Sequence, residues 1–307
     1  MNGEYVTYKS RSLQTIRSRL NPTTLKEGAS YYNGDMSVPV LFSKVLSDKE
    51  ISQLVAKGYT RNTDERILDW IPYADTRSLL AWSDGNYEFV TSDGIKREVK
   101  VEKTGSPVMI NQKWEVSFPK GLGAPEKISL PKLFSLHRHE NEGVKYFSGT
   151  ATYKTNFVVK PSMMSEDRVV FLDLGAVEVM AEVIVNGVNK GIFWSRPYLI
   201  DVTDVLKPGE NTLEIKVTNQ WTNRLIGDEQ LPEENEYVPG GGVNGIAALS
   251  RGAIRKLPDW YRNGVNKPEG GRVAFTTWKH YRKDSPLIES GLIGPVRLIP
   301  AKKIEFE

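Results

Sequence analysis

Between Ala181 and Val217 the chain reads AEVIVNGVNKGIFWSRPYLIDVTDVLKPGENTLEIKV, and both ends of this stretch have a side-chain period of two. Val183 and Val185 fall on one face and Glu182, Ile184 and Asn186 on the other; Leu213, Ile215 and Val217 alternate in the same way with Glu214 and Lys216. Each segment is therefore a half-buried strand. Asn186-Gly187 supplies two residues that tolerate positive φ, as a type I′ hairpin turn requires, and Pro208-Gly209 breaks the chain before the second strand. Periodicity by itself leads to an antiparallel β-sandwich.

The rest of the chain extends this reading. Trp114-Glu115-Val116-Ser117-Phe118 is a strand, Thr152–Val158 puts Tyr153, Thr155 and Phe157 on one face, and the nearly continuous apolar run Val169–Leu174 suits a strand covered on both faces. Tyr87 and Phe89, then Asp93-Gly94, then Val99 and Val101 predict a hairpin within 79–102, followed by a linker-like interval up to Gln112. The last strand, Val296–Ile299, is expected to return beside the first. Nearer the start, Ser47 and Glu50 form a capping box before Ile51, Leu54 and Val55, and Gly58 fits a C′ position, so a helix over 48–57 is expected. The interval 233–258 is glycine-rich and reads as a long loop.

The pattern AxVxVNG, a short return, an aspartate-rich corner and GENxLxIxVxN resembles the sugar-binding β-sandwich domain of family 2 glycoside hydrolases. NQWTNRLIGDEQLP (219–232), KLFSLHRHENEGVKYFSGTATYKTNF (132–157) and the closing GGRVAFTTWKHYRKDSPLIESGLIGPVRLI resemble the C-terminal region of family 106 glycoside hydrolases, the α-L-rhamnosidases. The resemblance implies a mainly β fold, a galactose-binding-like (jelly-roll) β-sandwich over 111–307. A smaller mixed α/β segment at 1–78 and a β hairpin unit with a linker at 79–110 would precede it. It also implies a non-catalytic carbohydrate-binding or buttressing module of a larger bacterial enzyme, since the family's catalytic acids lie in a separate upstream barrel. The expected partner is a rhamnose-containing glycan or that barrel domain, and the expected location of the whole enzyme is periplasmic or secreted. A purely structural interdomain module is the alternative, and a small stand-alone hydrolase a third.

Composition closes several other routes. The 41 basic and 38 acidic residues leave a net charge of +3, so no global field points to nucleic acid or an anionic membrane. No cysteine is present, which excludes disulfides, thiol nucleophiles and Cys-ligated zinc. The N-terminal MNGEYVTYKSRSLQ has no apolar h-region and no membrane span is expected. Gly240-Gly241-Gly242 lacks the spacing and context of a nucleotide loop.

Sugar rings present apolar C–H faces that stack on Trp and Tyr, while Asn, Arg and Asp fork onto hydroxyls. The carbohydrate-binding candidates are Trp194, Tyr198, Trp221, Asn219, Asn223, Arg224 and Asp228, with Trp260 and Trp278 as further aromatics. Trp114 and Trp278 read as core. Trp194 is the stronger sugar-binding candidate, whereas Trp221, crowded by Asn219, Asn223 and Arg224, suits a locked loop. Asp228-Glu229 is the obvious adjacent carboxylate pair, yet neighbours on an extended chain diverge, so a loop-tethering role is expected rather than the paired acids of glycoside hydrolysis. His137 and His139 are read as solvent-exposed. No cofactor is required, and a structural calcium held by loop oxygens is the one metal that the fold suggests.

Overall fold

The computed structural model describes residues 68–70, 78–90, 96–237, 254–267, 271–277 and 280–305, all within one unit, Thr63–Glu307. The predicted helix at 48–57, the Asp93-Gly94 turn and Trp278 lie outside the described residues. Two six-stranded sheets carry the fold, with strands numbered in chain order. The first sheet holds β1 (Leu68–Trp70), β2 (Ser78–Ala81), β16 (Arg297–Glu305), β9 (Arg168–Asp173) and β13 (Leu199–Asp201) in that spatial order, with β5 (Val108–Met109) also paired to β16. The second runs β12 (Val188–Phe193), β11 (Met180–Val185), β14 (Gly209–Thr218), β8 (Thr150–Val159), β6 (Trp114–Ser117) and β7 (Lys127–Leu130). Two ribbons complete the strands, β3 (Gly85–Val90) with β4 (Lys96–Val101), and β10 (Ala176–Glu178) with β15 (Gly291–Gly294).

The period-two residues face inward as expected: Tyr153 and Phe157 of β8, Val183 and Val185 of β11, and Leu213, Ile215 and Val217 of β14 are all buried. They meet Val170, Leu172, Ile200 and Leu298 of the other sheet in one core cluster, and burying each such side chain contributes about 1.5–3 kcal/mol. The fold is thus mainly β, a galactose-binding-like sandwich. Asn186 and Gly187 both take positive φ, 51° and 83°, in the β11–β12 turn.

Two expectations need correction. β9 is not enclosed on both faces: Val170 and Leu172 are buried while Val169 and Phe171 are only half-buried, and Phe171 packs on Trp82 with ring centroids 4.9 Å apart. The final strand does not return beside the Trp114 strand, which opens the second sheet. β16 instead pairs with β9 over Arg297–Lys302 and, on its other side, with β5 and β2, because its length of nine residues spans both partners. The interval 79–110 accordingly gives β2 and β5 to the first sheet as well as the β3–β4 ribbon.

Close backbone approach holds the β10–β15 ribbon. Gly175 has φ +63°, and a Cβ there would lie 2.5 Å from the Gly294 carbonyl. The fully buried Tyr153 hydroxyl accepts the Leu292 amide at 3.2 Å, tying β8 to β15; burial pushes this phenol well up from its ordinary value.

Candidate functional site

Two places concentrate the candidate residues. The first is the outer face of the second sheet, at the end where β11 and β12 meet the loop to β13. Ala181 pairs with Phe193, so Met180 and Trp194 follow at the next step; Met180 pairs with Thr218, and Thr218 with Thr150. Phe193 packs on the core, and the residues flanking it point away: Ile192 is 64% exposed and Trp194 71%. Met180 is 39% exposed, and the hydroxyls of Thr150 and Thr218 lie 2.8 Å apart. Arg196 Nη2 donates to Glu178 Oε1 at 2.9 Å beside this row.

The second place is α2 (Thr222–Asp228), which follows α1 (Glu142–Lys145) in the chain and precedes α3 (Asp259–Arg262). As β14 ends, Asn219 Oδ1 accepts the Gly149 amide at 2.8 Å and its Nδ2 donates to Phe147 O at 2.9 Å. Ser148 Oγ then donates to Gln220 O and accepts the Arg224 amide. Asn223 clasps Ile288 at both backbone groups, donating to its carbonyl at 2.8 Å and accepting its amide at 2.9 Å. Gly227 leaves room for the buried Arg224, since a Cβ there would stand 2.6 Å from Arg224 Nη2 and from the Tyr146 ring. Arg224 Cζ lies 6.0 Å from the centroid of that ring, and its Nε is 3.0 Å from Asp228 Oδ1 without the alignment of a hydrogen bond.

Asp228 in turn accepts the amides of Val273 and Ala274 at 3.0 and 2.7 Å. One step on, Glu229 Oε1 receives Arg272 Nη1 at 2.7 Å, and Arg272 also donates to the carbonyls of Pro232 and Leu231. Glu234 takes the Arg272 amide at 2.6 Å and pairs with Lys267 at 2.8 Å. Burial raises the Glu234 carboxyl, but the hydrogen bonds from Lys267 and the Arg272 amide outweigh it and hold the group below its ordinary value. The result is a clamp that fixes Lys267, Arg272, Val273, Ala274 and Ile288 against the sandwich. The pit left among Leu225, Asp228, Glu229, Tyr237, Arg272 and His280 has a volume of about 10 Å³, room for one water at most.

The seven sequence candidates therefore divide. Asn219, Asn223, Arg224 and Asp228 are buried with internal partners, and Tyr198 is buried with its hydroxyl donating to Val179 O at 2.6 Å, its phenol raised by burial and by Glu178. None of these five presents a free fork to a hydroxyl, as the expected sugar ligands would, because their side chains are engaged within the fold; the partners of Asn219 and Asn223 are distant in the chain, Gly149, Phe147 and Ile288, and those of Asp228 are Val273 and Ala274. The tethering expected of Asp228 and Glu229 is the role they take. Trp194 and Trp221 remain at the surface, Trp221 being 49% exposed at the N-terminus of α2 rather than packed among its buried neighbours. Trp260 is half-buried, in edge contact with Phe275.

Arg272, the hub of the clamp, carried no signal in the sequence, and neither did Met180, Thr150 or Thr218, whose roles come from strand register. His137 and His139 are half-buried, not exposed; His137 Nδ1 lies 2.6 Å from Ser135 Oγ and His139 Nδ1 accepts the Asn141 amide. Burial and the neighbouring Arg138 hold the His137 imidazole below its ordinary pKa. Among the described residues no three Asp, Glu or His side chains converge, so a calcium ion there would rest chiefly on carbonyl oxygens.

With this geometry in place, comparison with known proteins is informative. Residues 131–261 match the family described as "Glycosyl hydrolase 2 galactose-binding domain-like". A protein of Formosa agariphila named "Putative beta-glucuronidase" is 40% identical over 214 residues, which is 70% of this chain and 17% of that protein. The structure of a rhamnosidase from Novosphingobium sp. PP1Y aligns with 83% of this chain at a TM-score of 0.50 and 25% identity, using 26% of its own length. Residues 131–261 are thus similar to a galactose-binding-like domain of the glycosyl hydrolase 2 type, and the chain spans about 17% and 26% of the lengths of these two larger proteins.

Proposed function

We propose that this chain is a non-catalytic accessory module of an α-L-rhamnosidase-like glycoside hydrolase, and that it buttresses the barrel domain that carries the chemistry. The observation behind this reading is the clamp. Asn223 and Asp228 of NQWTNRLIGD hold Ile288, Val273 and Ala274 on the sandwich, while Asn219 and Arg224 are turned inward to Gly149, Phe147 and Asp228 instead of outward to a sugar. Such a buried network of internal partners rigidifies a surface rather than binding a mobile ligand. The aligned rhamnosidase supports the finer assignment, and the name of the Formosa agariphila relative supports the wider one, a glycoside hydrolase. The whole enzyme would act in the periplasm or outside the cell.

Two substrates test the reading. The purified chain should turn over neither an aryl α-L-rhamnoside nor an aryl β-D-glucuronide, because glycoside hydrolysis needs two carboxyl groups held about 5–9.5 Å apart across the bond. Asp228 is occupied by Arg224 and the amides of Val273 and Ala274, and Glu229 by Arg272. Turnover that disappears in Glu229→Gln would overturn the proposal.

A further inference from the structure

The row at the end of the second sheet has no part in the clamp. Trp194, Met180, Thr218 and Thr150 stand on four successive strands or their direct continuation, β12, β11, β14 and β8. At about 4.8 Å per strand the row is ~14 Å long, the length of about three pyranose rings. Its chemistry changes along that length. An exposed indole and a thioether come first, then two hydroxyls, with the Arg196–Glu178 pair at the rim.

The central strands of this outer face are mostly charged, with Val158 near the far end of β8 and Val188 and Ile192 on the edge strand β12 as exposed apolar residues. Lys127 pairs with Glu115 at 2.9 Å, Lys154 with Glu214 at 2.7 Å and Lys216 with Glu182 at 3.2 Å, and the open groove of about 690 Å³ beside β6 and β8 is lined by two of these lysines. Cores of protein interfaces are depleted of such charges, so the middle of this face is solvated, and apart from Val158 its exposed apolar residues lie on β12, the start of β11 and Trp194. A patch about one indole wide, followed by hydroxyls, fits an amphipathic ligand of ring-sized units. A protein partner would need a broader apolar centre. The charges nearest the row cancel, Arg196 with Glu178 and Lys216 with Glu182, which leaves nothing to favour an acidic ligand over a neutral one.

We propose that this row is a binding site for a neutral glycan chain, lying across the strands with one ring stacked on Trp194 and the following units hydrogen-bonded by Thr218 and Thr150. The proposal rests on the reading that the chain serves a glycoside hydrolase, but not on its being inert. A module that hydrolysed aryl glycosides would still be expected to hold the chain here.

The test is affinity electrophoresis of the purified chain through native gels containing a neutral rhamnan, a neutral glucan or a polyuronate, with thermal melts run alongside. The neutral polymers should retard the chain, with the effect unchanged by 0.5 M sodium chloride. Trp194→Ala should weaken retardation about 2- to 10-fold, the worth of one aromatic stack, at an unchanged melting temperature. The double variant Thr150→Val/Thr218→Val should weaken it further, and neutral oligosaccharides should compete better up to about three rings and no better beyond. Absence of retardation by both neutral polymers overturns the proposal. So does retardation that Trp194→Ala leaves undiminished, or salt-sensitive retardation by the polyuronate alone.

Discussion

The Asn186 side-chain amide donates to Asn211 Oδ1 at 2.7 Å, and this contact joins the β11–β12 turn to the corner that opens β14. Asn186 also donates to Val205 O and accepts the Thr212 amide, while Asn211 accepts the Lys207 amide and donates to the carbonyls of Lys207 and Gly209. The two asparagines of VNG and GEN are thus one device. It seals the end of the sandwich opposite to the Trp194 row, so the two functions of the sheet ends are separated by the length of β11.

Removing either asparagine should be costly because the partners left behind are backbone groups. Asn211 is 1% exposed, and Asn211→Ala orphans the Lys207 amide; a loss of about 1–3 kcal/mol is expected in denaturant melts. Asn186→Gly keeps the positive φ of the turn and removes only the side chain, so it isolates the network. A double-mutant cycle over the pair should show a coupling of about 0.5–3 kcal/mol, and additive losses would mean that the contact does not organise this corner.

At the clamp, the expected loss is larger. Arg224 and Asp228 have side chains 6% and 4% exposed, and deleting one member of a buried pair costs about 3–5 kcal/mol. Asp228→Ala should lower the melting temperature sharply and open Val273 and Ala274 to hydrogen exchange, since both amides lose their acceptor. Arg224→Met with Asp228→Leu should recover part of the stability but not the protection of those two amides. Protection that survives Asp228→Ala would show the segment to be held by something else.

What the sequence made legible follows from distance along the chain. The alternation in β8, β11 and β14 and the Asn-Gly turn are local signals, read off neighbours two residues apart or adjacent, and the structure keeps them. The roles of Asn219, Asn223 and Asp228 depend on Phe147, Ile288 and Val273, which no window of sequence contains. Nor does hydropathy separate a polar residue that faces solvent from one buried with its hydrogen bonds satisfied. The pairing of β16 with β2 joins residues more than 200 apart and was invisible for the same reason. Trp194 was legible as an aromatic beside a turn, but the row that it heads needs the register of four strands.

Acid should loosen the hold on Lys267 and Arg272 before the sandwich itself. Glu234 is held below its ordinary carboxylate value of 4.5 by Lys267 and the Arg272 amide, so the folded state binds its proton less readily than the unfolded chain does. The stability it contributes is full above about that value and is lost as the pH falls through the lower folded pKa. Hydrogen exchange of Arg272 and its neighbours, followed from pH 6 down to pH 3, should show protection falling in this window. Glu234→Gln should remove the pH dependence of that step; an unchanged profile would place the titrating group elsewhere.

Trp114, Trp194 and Trp221 should separate cleanly in thermal melts, because their burial differs more than their chemistry. Trp114 is 1% exposed in the main core, and truncation to alanine there should cost about 3–5 kcal/mol. Trp194, 71% exposed beyond β12, should be removable within about 0.5 kcal/mol. Trp221 lies between them: 49% exposed, it sits at the start of α2 with no side-chain capping bond, and Leu225 donates its amide to the Trp221 carbonyl, which alanine retains. Its loss is therefore expected near ~1 kcal/mol, a half-buried packing contribution. A Trp221→Ala variant as damaged as Trp114→Ala would mean that this indole is part of the clamp and not merely beside it. A Trp194→Ala variant that melts early would remove the sheet end from consideration as a ligand surface, since a side chain needed for the fold cannot be freely offered to a sugar.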